Sequence, residues 1–405
     1  MKKTSDKVEQ RLPFAPLYLA FAYIAKAVLK IFYGLEIHKS CKIKGPAIVL
    51  CNHPSSVDFI IVAAALLPLR LSFLAAYYFF IISRPLNRIL RLMGAIPKFQ
   101  FAPDVSAIRS MDSLLNKKGG VLCIMPEGTV SGSGRLGYIN PAIAKLVRHF
   151  KVPVYIVRTN GGSVSFPKWA NHSRRGKIHV DVFKLFEADE LKSMSSEDIN
   201  NTLHDALNYN DFEFIKRSGA HYSSAKKAEG LENLLMICPK CHREFTLTTS
   251  GNNISCSCGL CAELDSSMNL CWGEGTAWFN SLNEWYDYQE NFYAEQTLNP
   301  DFELCSHVRY FSNSPGIGPY MEIGDGIMTM TREGIGFTGM VRGEKHEFFE
   351  PMKNIPALVY DIGKNFELPY HSAIRCFEPD IKSSSVKWSL CLRFLYDREF
   401  EKQHV

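Results

Sequence analysis

Long uncharged apolar runs are scarce near the start of this 405-residue chain, and their scarcity argues against a simple membrane anchor. The most apolar stretch, Phe14 to Tyr33, is broken by Lys26 and Lys30. A spanning helix needs about 20 residues with few charges. Residues 1–34 therefore predict an amphipathic helix lying in a membrane interface. Its two lysines, four apart on one face, turn towards phospholipid headgroups. No apolar segment with a small-residue cleavage site is visible, which points to a cytosolic, reduced setting. Charge of one sign is also in short supply. Lys and Arg total 46 against 41 Asp and Glu, a net charge of +5. That excess suits anionic lipids or phosphates and is too weak to demand nucleic acid. A G-x-S-x-G elbow is missing, so Ser55 and Ser56 read as helix-start residues and not as nucleophiles.

Cysteine is not lacking, but it is unevenly spread. Of 12 cysteines, five crowd between Cys238 and Cys261. Cys238-Pro-Lys-Cys241 precedes an alternating strand, a Gly251-Asn252 turn, and then Cys256 and Cys258. Two knuckles joined by a hairpin are the layout of a zinc ribbon. Four thiolates, Cys238, Cys241, Cys256 and Cys258, suit a tetrahedral, structural Zn2+. Cys261 is a rival fourth ligand, but Cys258 leaves Gly259 where a knuckle glycine belongs. A redox C-x-x-C would want a thioredoxin-like βαβ context, which this stretch does not have. The ribbon also lacks a basic aromatic surface, which weighs against nucleic acid as a partner.

The stretch Ala47 to Asp58, AIVLCNHPSSVD, concentrates the chemistry. Ala47 to Cys51 predicts a buried strand. Asn52-His53 forms a turn, and Pro54 opens a helix, where its missing N–H is no loss. Asp58 then lies about one helical turn inside. Helical side chains lean towards the N-terminus, so its carboxylate reaches back to the His53 imidazole. One ring nitrogen becomes a fixed donor and the other is left as a base. A second buried strand, Val121 to Met125, runs out into Pro126-Glu127-Gly128-Thr129.

His53 through Asp58 matches the H-x-x-x-x-D signature of the glycerolipid acyltransferases, and Pro126 to Thr129 resembles the core of that family's F-P-E-G-T-R-S block. Gly94 to Lys98 falls near the intermediate block, and Lys151-Val152-Pro153-Val154 resembles the fourth. The similarity runs over roughly residues 35 to 215 and is nearest the 1-acylglycerol-3-phosphate acyltransferase branch. It implies an O-acyltransferase of phospholipid synthesis, with acyl-CoA or acyl carrier protein as acyl donor and a lysophospholipid as acceptor. His53 would be the base and Asp58 its orienting acid. Glu127, Gly128 and Thr129 would bind the glycerol phosphate acceptor. Lys98 stands where the family has an arginine for the acceptor's phosphate. Val130 stands where the family has another, and Arg135 is the candidate substitute. That departure leaves a different lysophospholipid acceptor as an alternative, and a non-catalytic lipid-binding adaptor as a further one.

The expected fold class is α/β: an acyltransferase domain with a mixed central sheet flanked by helices, a small zinc ribbon, and a β-rich, pleckstrin-homology-like domain at the C-terminal end. The expected divisions are 1–34 interface helix, 35–215 acyltransferase domain, 216–230 linker, 231–272 ribbon, 273–300 helical connector, and 301–405 β-rich domain with a C-terminal helix. Apolar surface in Phe59 to Leu67 and Leu71 to Ile82 adds to the first helix. Together they predict a peripheral or monotopic protein on the cytoplasmic face of a phospholipid membrane.

Overall fold

The computed structural model describes residues 10–100, 104–273, 276–312, 318–370 and 373–401. The chain divides into two compact units. The first holds residues 1–165 and 175–214, the second 166–174 and 215–405.

The first unit is the expected mixed sheet flanked by helices. Its strands are β1 (Glu36–Lys39), β2 (Ala47–Cys51), β3 (Leu71–Ala76), β4 (Ile96–Lys98), β5 (Val121–Ile124), β6 (Val154–Asn160) and β7 (His179–Phe186), in the order β1-β7-β6-β2-β5-β3-β4. All neighbouring pairs are parallel except β6 and β7. β2 is wholly buried, as its run of Ala, Ile, Val, Leu and Cys requires of a central parallel strand. Register pairs Leu50 with Ile124 on β5 and with Ile156 on β6. Parallel neighbours leave the sheet at the same edge, so the turn after β2 and the loop after β5 emerge side by side.

The helices of this unit are α1 (Ala15–Tyr33), α2 (Asp58–Ala65), α3 (Tyr78–Ile81), α4 (Arg84–Leu92), α5 (Val105–Asp112), α6 (Ala142–Phe150), α7 (Gly162–Ser165) and α8 (Ser196–Leu207). Ile48, Leu50, Leu122 and Ile124 share a core with Met111 of α5, Val147 of α6 and Leu203 of α8. Alternation along β2 and β5 sends Cys51 and Cys123 the other way, where their sulfurs lie 3.3 Å apart. α2 is apolar nearly all round and correspondingly buried; it packs against α1.

α1 buries Tyr18, Ala22, Ala25 and Leu29, spaced by three or four along one face. Its other face exposes Tyr23, Ile24, Val28, Ile31 and Phe32. By length and composition α1 is apolar enough to cross a bilayer. Lys26 is half-buried and Lys30 exposed. α9 (Asp211–Ser218) begins in this unit, its first residue tied into the loop after β6.

The second unit is β-rich. β8 (Leu247–Ser250), β9 (Asn253–Cys256), β10 (Cys261–Leu264) and β11 (Leu270–Trp272) form an antiparallel ribbon in the order β11-β10-β9-β8. α10 (Leu282–Gln296) braces it: the Trp285 indole donates to the Ile237 carbonyl at 2.9 Å, and Gln289 bonds Met236 and Leu234. A seven-stranded antiparallel sheet follows, from β12 (Leu304–Ser312), β13 (Met321–Met330), β14 (Gly334–Val341), β15 (Glu344–Pro351), β16 (Val359–Asp361), β17 (Asn365–Tyr370) and β18 (Ala373–Pro379). Its order is β15-β14-β13-β12-β18-β17-β16, and α11 (Ser384–Tyr396) follows it. Trp388 of α11 is fully buried against Phe366. Tyr222 and Ala228, in the stretch that reads as a linker, are fully buried, and Ala228 bonds the Gly251 turn.

Candidate active site

The turn after β2 is built by its own polar residues. Asn52 is fully buried and pairs with the main chain of Thr159 on β6 in both directions, at 2.7 and 2.8 Å. His53 follows. Asp58 is fully buried, and its Oδ2 lies 2.8 Å from His53 Nδ1. The same oxygen accepts the Ser55 N–H at 2.9 Å, and Oδ1 accepts the Ser55 hydroxyl at 2.5 Å. A carboxylate only accepts, so Nδ1 carries the ring proton and Nε2 presents a lone pair. The His53 side chain is 19% exposed, enough to meet a substrate.

One local expectation differs. The helix does not open at Pro54; residues 54–57 form a turn and α2 begins at Asp58. The Asp58 carboxylate draws the Ser55 amide and hydroxyl onto itself, which shapes a side-chain-closed turn in place of helical hydrogen bonds. Asp58 therefore reaches His53 from the first helical residue and not from one turn inside.

The loop after β5 lies against this turn. Glu127 is 1% exposed. Its Oε1 accepts the His53 main-chain N–H at 2.6 Å and its Oε2 accepts the Gly137 N–H at 2.7 Å. The Ser131 N–H donates to the His53 carbonyl at 3.0 Å. Gly128 sits at φ +68, the left-handed region where a side chain is strained. Gly128 and Thr129 are half-buried, whereas Val130 turns inward at 6% exposure.

Lys98 ends β4, two strands from β5 at the same edge of the sheet. It is half-buried and donates to the Phe99 carbonyl. Burial pushes its amine below the ordinary lysine value, with Asp104 pulling the other way. Gln100, which the sequence did not mark out, donates to the Gly128 carbonyl at 2.5 Å and ties this segment to the loop. Arg135 is half-buried and its main chain bridges to Asn210.

Two buried carboxyls are shifted here. Burial raises Glu127 from 4.5 to about 7, against the pull of the Gly137 amide and the His53 imidazole and amide; Asp58 adds repulsion. Burial likewise raises Asp211 from 3.8 to about 6, although it accepts from Gly161, Ser163 N–H and the Ser163 hydroxyl. Ser131 and Asp211 carry no signal in the sequence because their partners lie far along the chain, and Gly137 none because its partner Glu127 faces it across a loop. The dipeptide Asn52-His53 was the one available signal.

In the second unit, the sulfurs of Cys238, Cys241, Cys256 and Cys258 all lie within 4.8 Å of one another, a group able to hold a metal ion. Cys238 and Cys258 are 3.6 Å apart, and Cys241 and Cys256 3.8 Å. Gly259 takes φ +84 beside the second knuckle. Cys261 lies on β10 and is exposed, outside the group.

Residues 32–159 match the family model described as Acyltransferase. No curated protein gives a significant match. Among solved structures, the crystal structure of the 1-acyl-sn-glycerophosphate (LPA) acyltransferase PlsC from Thermotoga maritima is similar. Its identity is 18% and its TM-score 0.39, over 52% of this chain and 81% of that one.

The shifted carboxyls set a pH dependence. A carboxyl whose folded value is raised binds its proton more tightly in the native state, so stability falls as pH rises from the unfolded to the folded value. For Glu127 that window runs from 4.5 to about 7, with His53, Asp58 and Tyr209 as the titratable groups around it. Urea unfolding at pH 5 and pH 8 should show the wild type losing stability across the window, and Glu127→Gln losing less. Parallel pH dependences would mean that the carboxyl is not held in a dry site.

Proposed function

We propose that the chain is an acyltransferase, a reading supported by the match of residues 32–159 to the Acyltransferase family model, and that it makes a phospholipid by moving a fatty acyl group from an acyl thioester to the free hydroxyl of 1-acylglycerol-3-phosphate. Acyl-CoA or acyl carrier protein supplies the thioester. The observation that carries this reading is the 2.8 Å contact between His53 Nδ1 and the buried Asp58, beside the Gly128–Thr129 loop.

In this reading His53 Nε2 takes the proton from the acceptor hydroxyl as its oxygen attacks the thioester carbonyl. A carbon–oxygen bond forms and a tetrahedral oxyanion results. Its collapse breaks the carbon–sulfur bond, and the thiolate recovers the proton from the imidazolium. Asp58 holds the ring tautomer and offsets the transient positive charge. No acyl-enzyme is needed, because a thioester is already activated. Ser55 is fully buried with its hydroxyl on Asp58, which suits a turn-builder. Gly128 and Thr129 would meet the acceptor's glycerol phosphate, with Lys98 and Arg135 as the cations.

Val130 supports a second reading. Its inward turn leaves no cation at the position after Gly-Thr, so a bidentate phosphate grip is missing there. The same chemistry on a different lysophospholipid fits that arrangement. A panel of lysolipids with labelled acyl-CoA or acyl carrier protein separates the two. His53→Ala should lower turnover by roughly 10²- to 10⁴-fold while fold and metal content persist. Turnover near the wild-type rate in that variant would sink the mechanism.

The four cysteines fit structural zinc. A zinc–sulfur distance of about 2.3 Å sets sulfurs about 3.8 Å apart at the corners of a tetrahedron, and the Cys238–Cys258 and Cys241–Cys256 separations of 3.6 and 3.8 Å agree. Metal analysis of the purified protein should find one zinc per chain, and Cys256→Ser should lose it. Protein that folds fully without zinc would count against this role.

For the membrane, the reading is monotopic seating on a cytoplasmic face. The exposed face of α1 is apolar from Tyr23 to Phe32. α4 buries none of its residues and sets Arg84, Arg88 and Arg91 beside exposed Ile89 and Leu92. The start of α1 adjoins the end of α4 through the Phe14 N–H bond to the Leu92 carbonyl, at 2.9 Å. Such a surface suits anionic headgroups over acyl chains. The protein should float with vesicles containing phosphatidylglycerol, and the double substitution Ile24→Asp, Ile31→Asp should release it. Wild-type protein left unbound by those vesicles would refute the seating.

A further inference from the structure

Glu127 belongs to the sequence block that by resemblance binds the acceptor, yet its surroundings do not suit a substrate ligand. The side chain is 1% exposed and lies beneath His53. Each carboxylate oxygen has a main-chain donor, the His53 N–H at 2.6 Å and the Gly137 N–H at 2.7 Å. A Cβ on Gly137 would come within 2.9 Å of Oε2, so an alanine there would push on the carboxylate. On its other side the His53 main chain accepts from the Ser131 N–H. The loop after β5 therefore grips His53 at both its N–H and its carbonyl, and Glu127 supplies one of the two grips. A carboxylate in contact with the acceptor would also repel its phosphate, whereas one bound to two amides has a local use for its charge.

We propose that Glu127 is a positioning residue that acts through the main chain of His53, setting where Nε2 meets the acceptor hydroxyl, and that it does not touch the acceptor. The inference rests on the acyl-transfer reading of the His53 site. It separates two properties of the Pro126–Thr129 block: Gly128 and Thr129 face the acceptor, and Glu127 aims the base. A shift of about 1 Å in a reacting group is enough to cost roughly 100-fold in rate. Removing one amide acceptor under the His53 turn is a perturbation of that kind. Burial raises the carboxyl towards neutrality, so its protonation weakens the grip on the acid side.

The test uses the full chain with vesicle-presented lysolipid and acyl-CoA, and two variants. Glu127→Gln keeps one acceptor and loses the other. Gly137→Ala leaves Glu127 in place chemically and pushes on Oε2. Both should lower kcat, Glu127→Gln by roughly 100-fold, with the acceptor KM within about threefold of wild type. Hydrogen exchange should quicken in the segment 47–58 of both variants and stay unchanged in the second unit. A tenfold rise in acceptor KM with kcat kept would overturn the proposal and make Glu127 a substrate ligand. If the wild type turns over no lysolipid, the acyl-transfer reading fails by itself, and the exchange of segment 47–58 still decides whether Glu127 holds His53. Should Glu127→Gln not fold, Gly137→Ala carries the same comparison, and unchanged exchange there overturns the proposal.

Discussion

Parallel pairing of β2 with β5 is the constraint on which the site depends. Two strands that run the same way end at the same edge, so the histidine that follows one and the glutamate that follows the other emerge side by side. The His53 main chain is then bonded to Glu127 and to Ser131. Asn52 completes the arrangement from the other side by locking onto Thr159 of β6. Three adjacent strands thus converge on the turn that carries His53. Ligand sites beyond the carboxyl ends of strands are a general consequence of parallel sheets, and here the strand order places the three exits in a row.

The fold accepts an electrostatic cost at this point. Asp58, Glu127 and Asp211 are buried within one unit, and burial alone would favour a carboxyl that is neutral or absent. Each is kept by directed donors: the imidazole and Ser55 for Asp58, two main-chain amides for Glu127, and Gly161 with Ser163 for Asp211. Such donors offset desolvation only in part, as the raised values of Glu127 and Asp211 show. What this arrangement secures is a set of fixed hydrogen-bond partners for the turn that carries His53 and for the long, glycine-containing loop between β5 and α6.

Much of the fold was legible from pattern. Continuous apolar runs marked β2 and β5 because a parallel strand is buried on both faces. The β-rich character of residues 301–405 and the helix at their end were legible as well: the sheet β12 to β18 and α11 fall within that range. The four-cysteine group was legible from its spacing, and the geometry draws in Cys258 and leaves Cys261 on an exposed strand. Less visible was the excursion of residues 166–174 into the second unit. There Trp169 stacks on the fully buried Arg174, and Lys168 pairs with Asp361 at 2.8 Å. A basic loop with one tryptophan gives no local sign that its partners lie 50 to 190 residues away.

By itself the sequence determined which residue types stand five apart in the His53–Asp58 pair, which strands are buried, and where four thiols cluster, since these are matters of local spacing and periodicity. Only the tertiary structure decided what those groups touch. It turned Val130 inward, set Gln100 on the Gly128 carbonyl, and placed the Glu127 carboxylate against two main-chain amides. The physical reason is that hydrogen bonds between loops are chosen by strand order and register, and neither is encoded within the loops that they join.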